Sequence, residues 1–390
     1  MKFIHTSDLH IGKIVNGFPM LEDQRAVLAQ VVQCAREEQA DAVFLCGDIY
    51  DRSVAPAAAV QVFDWFLTSL ADLGLKVFVI AGNHDCGERV EFASGILSRA
   101  GVHIEGKPRE QAAFVDMEDE HGPLRIHLLP FARPAEVRAL YGGECGDFET
   151  AVRAQLAHAR IVKGGRNILL THHFVVNGSH LPEVCDSDSR LSVGGADQVN
   201  AALFKQFDYV ALGHIHGRQR IGERHVWYSG SPLKYSFSEI HHKKCVLIGE
   251  MDAAGNVSLK ERELTPLRDM RKIEGPLKEL VRAGNALEEN DPALSDYLLA
   301  VLTDEEELAD PIGALRGVYP NIMQIAFKRE EKREEAEAAA AAILKDRDPA
   351  SLYREFFRLV TGEELSGRQE EIIEEEARSA LEVTECDRYI

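Results

Sequence analysis

The first part of the chain alternates short apolar runs with segments in which apolar residues recur at helical spacing. Residues 22–39 and 57–73 each place most of their apolar side chains on one side of a helix. Apolar runs at 3–5, 42–45 and 77–80 flank these two segments. The alternation predicts successive strand–helix–strand units, and therefore a layered, partly parallel sheet with helices outside it.

The middle of the chain has a more β-like pattern. Strands are expected at 112–117 and 124–129, around a polar turn, and a helix at 147–163. Gly255-Asn256 is typical of a hairpin turn and precedes the last of four further expected strands. These four strands lie at 218–221, 226–229, 246–251 and 257–262.

The pattern changes near Thr265-Pro266, where we place a domain boundary. The next residues predict a small α/β unit, with strands at 268–273, 297–302 and 322–327 and helices at 276–283 and 312–318. The predicted fold class is therefore α/β, with a layered β-sandwich core flanked by helices. The expected regions are the core (1–266), the small α/β unit (267–328) and a linker with a helical C-terminal region (329–390).

Two amphipathic helices are predicted near the C-terminus, at 351–360 and 366–381. Two isolated helices rarely hold together in water, so their apolar faces need a surface to cover them. That surface belongs either to a partner protein or to the chain itself. The candidate partner-binding residues are Leu352, Tyr353, Phe356, Phe357, Ile372 and Ile373.

Composition and charge narrow the class of protein. No apolar stretch approaches the roughly 18 residues that a membrane span needs, and the chain begins with a short core strand rather than a signal peptide. The seven cysteines are scattered and contain no CxxC pair, which indicates reduced thiols and a cytoplasmic protein.

The net charge of −20 by itself argues against nucleic acid as a partner. Residues 328–390 are rich in Glu and can lie remote from any substrate, however, so net charge discriminates poorly.

Short clusters of Asp, Asn and His each follow an apolar run in the first 216 residues. In layered α/β folds, functional loops gather at the carboxyl ends of strands, so these clusters predict one shared site. Asp, Asn and His are normally depleted from strands and buried positions, which makes the repeated placement informative. The clusters are Asp8-Leu9-His10, Gly47-Asp48, Gly82-Asn83-His84-Asp85, His172-His173 and Gly213-His214-Ile215-His216.

The residue types in these clusters are those of a metal centre. Asp and His together suit Mn, Fe or Zn, whereas Mg and Ca favour oxygen ligands alone. Asp8 and His10 alternate along an extended segment and can face one ion, as can His214 and His216. The two carboxylate oxygens of Asp48 can bridge two ions, and two divalent ions suit the chemistry of phosphate esters.

Three residues near these clusters are candidates for catalysis or substrate binding. His84 neighbours the ligand Asn83 and is the candidate proton donor for the leaving oxygen. The Asp51 carboxylate is expected to accept a hydrogen bond from His84 and orient the ring. Arg52 can reach a phosphate oxygen, although a surface charge is the alternative interpretation. Asp186, Asp188 and Arg190, in a loop with Gly and Ser, are expected to be solvated.

With these motifs in hand, the chain resembles the calcineurin-like metallophosphoesterases. Within them it is similar to the SbcD family, the nuclease subunits of bacterial SbcCD-type exonucleases. The similarity is carried by residues 2–13, Lys-Phe-Ile-His-Thr-Ser-Asp-Leu-His-Ile-Gly-Lys, and by residues 228–239, Tyr-Ser-Gly-Ser-Pro-Leu-Lys-Tyr-Ser-Phe-Ser-Glu. It extends to the small α/β unit, a capping domain that helps position DNA, and to the helical tail.

The resemblance implies a division of the ligands into two sets with Asp48 common to both. One divalent ion, expected to be Mn²⁺, would take Asp8, His10, Asp48 and His216, and the other Asp48, Asn83, His172 and His214. The family motif favours His172 over His173, since only one of two successive strand residues faces a given side. Asp51 departs from the archaeal and eukaryotic branch, which has a second His there.

The resemblance also implies partners and substrates. A dimer of such subunits binds SbcC, an SMC-like ATPase with a long coiled coil, in a heterotetramer at the nucleoid. The tail helices would dock at the base of that coiled coil. The expected activities are exonuclease action on duplex DNA and endonuclease action on single strands and hairpins. The alternatives are a stand-alone phosphatase or small phosphodiesterase, and a non-catalytic scaffold, against which the full ligand set argues.

Overall fold

A computed structural model describes residues 1–189, 195–288, 291–328, 353–354, 357–358, 365–370 and 372–373. Its larger part is built on two six-stranded sheets. The first sheet has the spatial order β16 (Val257–Glu263), β15 (Cys245–Met251), β1 (Lys2–Thr6), β4 (Ala42–Cys46), β5 (Lys76–Ile80) and β6 (Val102–Glu105). The second has the order β13 (Gln219–Arg220), β14 (Val226–Tyr228), β12 (Tyr209–Gly213), β9 (Arg166–His172), β8 (Gly122–Leu129) and β7 (Ala113–Asp119).

Both sheets are mixed, with parallel strands in the middle. In the first sheet β1, β4, β5 and β6 run parallel, and β15 and β16 add antiparallel strands at one edge. In the second sheet β14, β12, β9 and β8 run parallel, between antiparallel β13 and β7. Two short pairs complete the strands of this region: β2 (Ile14–Val15) with β3 (Phe18–Pro19), and β10 (Phe174–Val176) with β11 (Gln198–Asn200).

The alternation of side chains along each buried strand creates separate cores on its two faces. On β4, Phe44 belongs to the core between the sheets, whereas Val43 and Leu45 belong to a core formed with helices α1 (Leu21–Glu37) and α2 (Ala57–Ala71). On β12, Ala211 faces the other sheet and Leu212 packs outward. Burial on both faces explains why these strands read as continuous apolar runs. The prediction of a layered α/β core is confirmed.

The remaining helices of the larger part are short and lie in the connections between strands. They are α3 (Gly87–Val90), α4 (Ser94–Leu97), α5 (Pro134–Tyr141), α6 (Phe148–Ala157) and the 3-10 helices Ser98–Ala100, Ala201–Phe204 and Phe237–Glu239. The helix α6 is shorter than the predicted 147–163. The backbone of Val162 instead bonds to the side chain of Asn167, with N–Oδ1 and Nδ2–O distances of 3.0 Å.

The smaller unit has its own parallel sheet, in the order β17 (Met270–Gly275), β18 (Tyr297–Leu302) and β19 (Ile322–Phe327). Its helices are α7 (Leu277–Asn285), α8 (Pro292–Ser295) and α9 (Pro311–Arg316). The first strand begins two residues later than predicted, because Arg268 and Asp269 attach this unit to the larger one. Arg268 Nη1 lies 2.7 Å from buried Asp23 Oδ2, and Asp269 Oδ1 lies 2.8 Å from Lys234 Nζ.

Several predictions concern the whole chain and can be compared with the structure only at the described residues. Within the described ranges, no helix is both long and apolar enough to cross a membrane. Six cysteines fall in those ranges, and all six are unpaired. Of the predicted tail helices, only short pieces are described, and Leu352 and Phe356 lie outside them. Tyr353 and Ile372 are 48% and 54% exposed, and Phe357 and Ile373 are half-buried.

Candidate metal centre

The loops after β1, β4, β5, β9 and β12 meet at one edge of the two sheets. The backbone of the first loop bonds to that of the second, with Asp8 N donating to Gly47 O at 3.0 Å and His10 N to Asp48 O at 2.9 Å. The amide of His214, after β12, donates to the Asp8 carboxylate at 3.0 Å. The seven side chains that the sequence predicts as metal ligands are therefore brought together from five separate strands.

Four of these seven residues adopt a left-handed backbone conformation. A side chain other than Gly is uncommon there, because Cβ crowds the backbone. Such residues persist only where the surrounding structure holds them, and they cluster at functional sites. The φ angles are 53° for Asp8, 44° for His10, 50° for Asp48 and 106° for His214.

The centre has two halves that meet at Asp48. In the first half, defined by Asp8, His10 and His216, the two Nε2 atoms of His10 and His216 lie 3.1 Å apart. In the second half, defined by Asn83, His172 and His214, Asn83 Oδ1 lies 3.0 Å from His172 Nε2 and 2.9 Å from His214 Nδ1.

Asp48 lies between these halves. Its Oδ2 is 3.7 Å from His10 Nε2 and 3.4 Å from His172 Nε2. The carboxylate is buried, and burial alone would raise its pKa; the nearby His172, His10 and His84 outweigh that effect and hold the pKa of Asp48 well below its usual value. An ionised carboxylate with imidazoles on both sides is suited to bridge two cations.

The donor atoms fit divalent metal ions in spacing and in chemistry. Metal–nitrogen and metal–oxygen bonds of about 2.0–2.2 Å at right angles place neighbouring donors about 3 Å apart, and the spacing of His10 and His216 is similar. Among the predicted ligands, two buried ring nitrogens, His10 Nδ1 and His214 Nε2, have no hydrogen-bond partner. All seven side chains supply N or O atoms and none supplies sulfur, which matches Mn, Fe or Zn.

Two glycines allow this close approach. A Cβ atom on Gly47 would lie 2.3 Å from His172 Nδ1, and one on Gly82 would lie 2.2 Å from Asp48 Oδ1. Gly47 also has a φ of 85°, in the left-handed region that glycine tolerates. Both positions therefore require glycine for packing against a predicted ligand.

His84 lies beside the centre, half-buried, with its Nε2 4.0 Å from Asp48 Oδ2. Its ring is oriented differently from the prediction. His84 Nδ1 donates to the backbone carbonyl oxygen of Asp51 at 3.0 Å, rather than to the Asp51 carboxylate. That carboxylate lies 2.7 Å from Lys13 Nζ, which draws it away from the ring. A carbonyl only accepts, so Nδ1 carries the hydrogen, and Nε2 faces Ser189 Oγ at 2.8 Å.

Arg52 lies at the rim of the centre and points to solvent. Its side chain is 72% exposed, and its Nε is 3.5 Å from Asp51 Oδ2. A cavity of about 460 Å³ adjoins Asn83, with Phe131, Lys107 and Arg133 in its wall.

The two adjacent histidines at the end of β9 face opposite sides of the sheet. His172 faces the space between the sheets, where its Nδ1 lies 2.8 Å from the carbonyl oxygen of Cys46. His173 faces the opposite side and packs against the rings of Phe131 and Phe148. Burial lowers the pKa of His173 to about 3, so it is a neutral core residue.

Sequence patterns missed Asp85, which organises two of the loops. Its carboxylate accepts from the backbone amides of Ile49 at 3.1 Å, Tyr50 at 2.9 Å and Gly82 at 2.9 Å. Burial raises the pKa of Asp85 to about 6. The sequence feature that could have indicated this role is the position of Asp85 at the end of Gly-Asn-His-Asp, directly after the candidate proton donor.

The prediction that Asp188 is solvated is wrong. Its side chain is only 2% exposed, and its carboxylate accepts from the amides of Cys185 at 2.6 Å and His216 at 2.8 Å. A carboxylate with two backbone donors can be buried without losing its hydrogen bonds. Asp186 is exposed, as expected, and Arg190 lies outside the described residues.

Comparisons with known proteins identify relatives of the whole chain. Residues 1–218 match the family model for calcineurin-like phosphoesterases, and residues 266–361 match the model for the type 5 capsule protein repressor C-terminal domain. A Staphylococcus epidermidis protein, named as the D subunit of nuclease SbcCD, is 30% identical over 382 residues, covering 96% of this chain and 97% of the relative. A Staphylococcus saprophyticus protein of the same name is 29% identical, covering 98% of this chain and 99% of the relative.

Among solved structures, a dimetal phosphatase from Danio rerio is 12% identical and covers 67% of this chain and 96% of that protein. The TM-score is 0.37. The sequence relatives, by contrast, are similar in both parts of the chain, the strand-end centre and the smaller α/β unit.

Proposed function

The chain belongs to the calcineurin-like phosphoesterase family, and from that premise we propose that it is the metal-dependent DNA nuclease subunit of an SbcCD-type complex. Its substrates are duplex ends, cleaved as an exonuclease, and single-stranded or hairpin DNA, cleaved as an endonuclease. The observation that carries this proposal is the cluster of seven N and O donors at the strand ends, six of them buried and Asn83 half-buried, in a chain whose full-length relatives carry the name of the D subunit of nuclease SbcCD.

The proposed ion-binding sets follow the two halves of the centre. Asp8, His10, Asp48 and His216 hold one ion, and Asp48, Asn83, His172 and His214 hold the other. Mn²⁺ is the proposed native metal among those that the donors suit. When bound, two such ions supply charge neutralisation at the phosphate and lower the pKa of the attacking water.

His84 is the proposed proton donor to the leaving oxygen. Its Nδ1 is committed to the Asp51 carbonyl, so its Nε2 is the atom that holds and transfers a proton. The ring is partly open to solvent, unlike the buried rings of the ligand histidines. The hydroxyl of Ser189, 2.8 Å from Nε2, marks a position at hydrogen-bond distance where a leaving oxygen can lie.

The three proposed regions of the chain have different tasks. Residues 1–266 form the nuclease domain, and 267–328 form a capping domain that positions DNA, attached through the contacts of Arg268 and Asp269. Residues 329–390 bind the SbcC-type ATPase through the apolar residues of the tail, of which Tyr353 and Ile372 are exposed. The active unit is a heterotetramer built on a dimer of this chain, and its DNA substrate places it at the nucleoid.

One experiment separates this function from its main rival, a stand-alone phosphatase or small phosphodiesterase. The full chain would be incubated with Mn²⁺ and its ATPase partner, and given labelled duplex and hairpin DNA in parallel with bis-p-nitrophenyl phosphate. We expect cleavage of both DNA substrates. Turnover of the ester with intact DNA would reject the nuclease function and favour the rival.

A second experiment tests the tail. Deletion of residues 351–390 should abolish co-purification with the ATPase partner and leave the basal Mn²⁺-dependent cleavage of DNA, because the described centre lies within residues 8–216. Persistent co-purification would show that another surface binds the partner.

A further inference from the structure

A buried ion pair lies directly behind the first half of the metal centre. Glu239 is fully buried and Lys244 is 7% exposed, and Lys244 Nζ donates to Glu239 Oε2 at 2.5 Å. The same ammonium group donates to the carbonyl oxygen of His216 at 2.9 Å and to Ser231 Oγ at 2.9 Å. Removing two charges from water is costly, so a buried pair of this kind is weak evidence for stability and calls for another role.

The other oxygen of Glu239 connects this pair to the ring of His216. Oε1 accepts from Ser187 Oγ at 2.6 Å, and Ser187 Oγ lies 2.7 Å from His216 Nδ1. A carboxylate only accepts, so the single hydrogen of Ser187 points to Glu239. The hydroxyl oxygen must then accept from His216 Nδ1, which carries the hydrogen of the neutral ring. His216 Nε2 is left with a lone pair, facing His10 Nε2 at 3.1 Å.

The same carboxylate also holds the segment that covers His10. Glu239 Oε1 accepts from the amides of Tyr235 and Ser236 at 3.0 Å each. The hydroxyl of Tyr235 donates to the Leu9 carbonyl at 2.5 Å, and its ring packs edge-on against His10 at a centroid distance of 5.6 Å. One ion pair is therefore connected to both imidazoles of the first half.

The second half is oriented by different means. His172 Nδ1 lies 2.8 Å from the backbone carbonyl of Cys46, and the amide oxygen of Asn83 lies between His172 and His214. A main-chain carbonyl on a buried strand fixes the ring of His172 without any relay of side chains. The two halves therefore depend on different parts of the chain.

We propose that the Lys244–Glu239 pair, acting through Ser187, is a positioning element that holds the hydrogen of His216 on Nδ1 and presents Nε2 to the ion of the first half only. This inference rests on the proposed two-ion centre. Residues that orient a metal-binding imidazole through its other nitrogen typically change metal affinity about 10–100-fold when they are removed. Loss of the connection from Glu239 through Ser187 to His216 should therefore weaken the binding of one ion and leave the binding of the other unchanged.

The test is a Mn²⁺ titration of the full chain, followed by electron paramagnetic resonance, with the variants Ser187→Ala, Ser187→Thr and Glu239→Gln. The wild type should bind two equivalents with the signal of a coupled pair. Ser187→Ala should keep one equivalent and weaken the second about 10–100-fold, so that an uncoupled Mn²⁺ signal appears. Ser187→Thr restores a hydroxyl and should restore the coupled signal.

The control is Ser258→Ala, which removes an exposed hydroxyl from the edge strand β16, away from the metal centre. It should bind Mn²⁺ as the wild type does. Glu239→Gln should weaken the same equivalent as Ser187→Ala; if it fails to fold, the Ala and Thr variants of Ser187 decide alone. Two equally tight, coupled equivalents in Ser187→Ala would overturn the inference. A wild type that binds fewer than two equivalents would instead reject the two-ion centre itself.

Discussion

The two halves of the metal centre hold their imidazole rings in position by different means. In the half with Asp8, His10 and His216, side chains orient the imidazoles: Ser187 bonds to His216, and Tyr235 packs against His10. In the half with Asn83, His172 and His214, the Cys46 carbonyl on β4 orients His172. Asp48 belongs to both.

This difference determines which substitutions disturb metal binding in each half. A relay of side chains can be removed by one substitution without disturbing the sheet. An orientation set by the backbone changes only when the backbone or the space around it changes.

The largest effect is expected from Asp48→Ala. It removes the carboxylate that lies between imidazoles of both halves, so both Mn²⁺ equivalents should be lost and DNA cleavage should fall to background. Elemental analysis and a nuclease assay on the same preparation measure this. Asp64→Ala, an exposed carboxylate on α2, should retain both properties. Two retained equivalents in Asp48→Ala would show that the halves are independent.

His84→Ala should affect the chemical step and neither half. His84 is the proposed proton donor, and loss of such a group typically reduces the rate about 10²–10⁴-fold. Both Mn²⁺ equivalents should remain, as measured by elemental analysis. His121→Ala, an exposed histidine in the turn between β7 and β8, is the matched control and should behave as wild type. Loss of one equivalent in His84→Ala would make this residue a ligand.

Gly47→Ala should damage the second half selectively, as the counterpart of Ser187→Ala. The new Cβ would lie 2.3 Å from His172 Nδ1, so the ring must move and its metal affinity should fall. Gly17→Ala is a close control, because Gly17 has a similar φ of 86° and no atom within 4 Å of the added Cβ. The left-handed conformation costs both variants about 1–2 kcal/mol, but only Gly47→Ala should lose a Mn²⁺ equivalent.

The smallest effect is expected from Asp51→Asn. The ring of His84 bonds to the backbone carbonyl of Asp51, which the substitution keeps. The variant loses the ion pair with Lys13, and pairs near the surface contribute about 1 kcal/mol or less. The cleavage rate should therefore change by less than about fivefold. A decrease in cleavage rate as large as that of His84→Ala would show that the Asp51 carboxylate orients His84.

The sequence predicts the fold well because burial leaves a clear pattern. Strands buried on both faces give continuous apolar runs, so β4 and β12 are evident, and the strands 297–302 and 322–327 match β18 and β19 in both bounds. Short elements at the ends of connections, such as α5 and the β10–β11 pair, have too few residues for a periodic pattern. The length of α6 depended on a side chain, Asn167, that lies outside the helix.

The sequence predicts which candidate ligands lie together, but it does not predict the residues that support them. Asp8, His10, Asp48, Asn83, His172, His214 and His216 stand directly at strand ends, where position alone brings them together. Ser187, Asp188 and Glu239 act through contacts between distant loops, and nothing in their local sequence indicates burial. The orientation of His84 by a carbonyl rather than by the Asp51 carboxylate is a backbone feature that residue types do not encode.

The most direct test of the two-half centre is a crystal structure of the full chain with Mn²⁺, using anomalous scattering at the manganese edge. Two peaks are predicted, one contacting Asp8, His10 and His216, the other Asn83, His172 and His214, with Asp48 touching both and His84 touching neither. A single peak, or His84 or His173 among the ligands, would contradict this assignment.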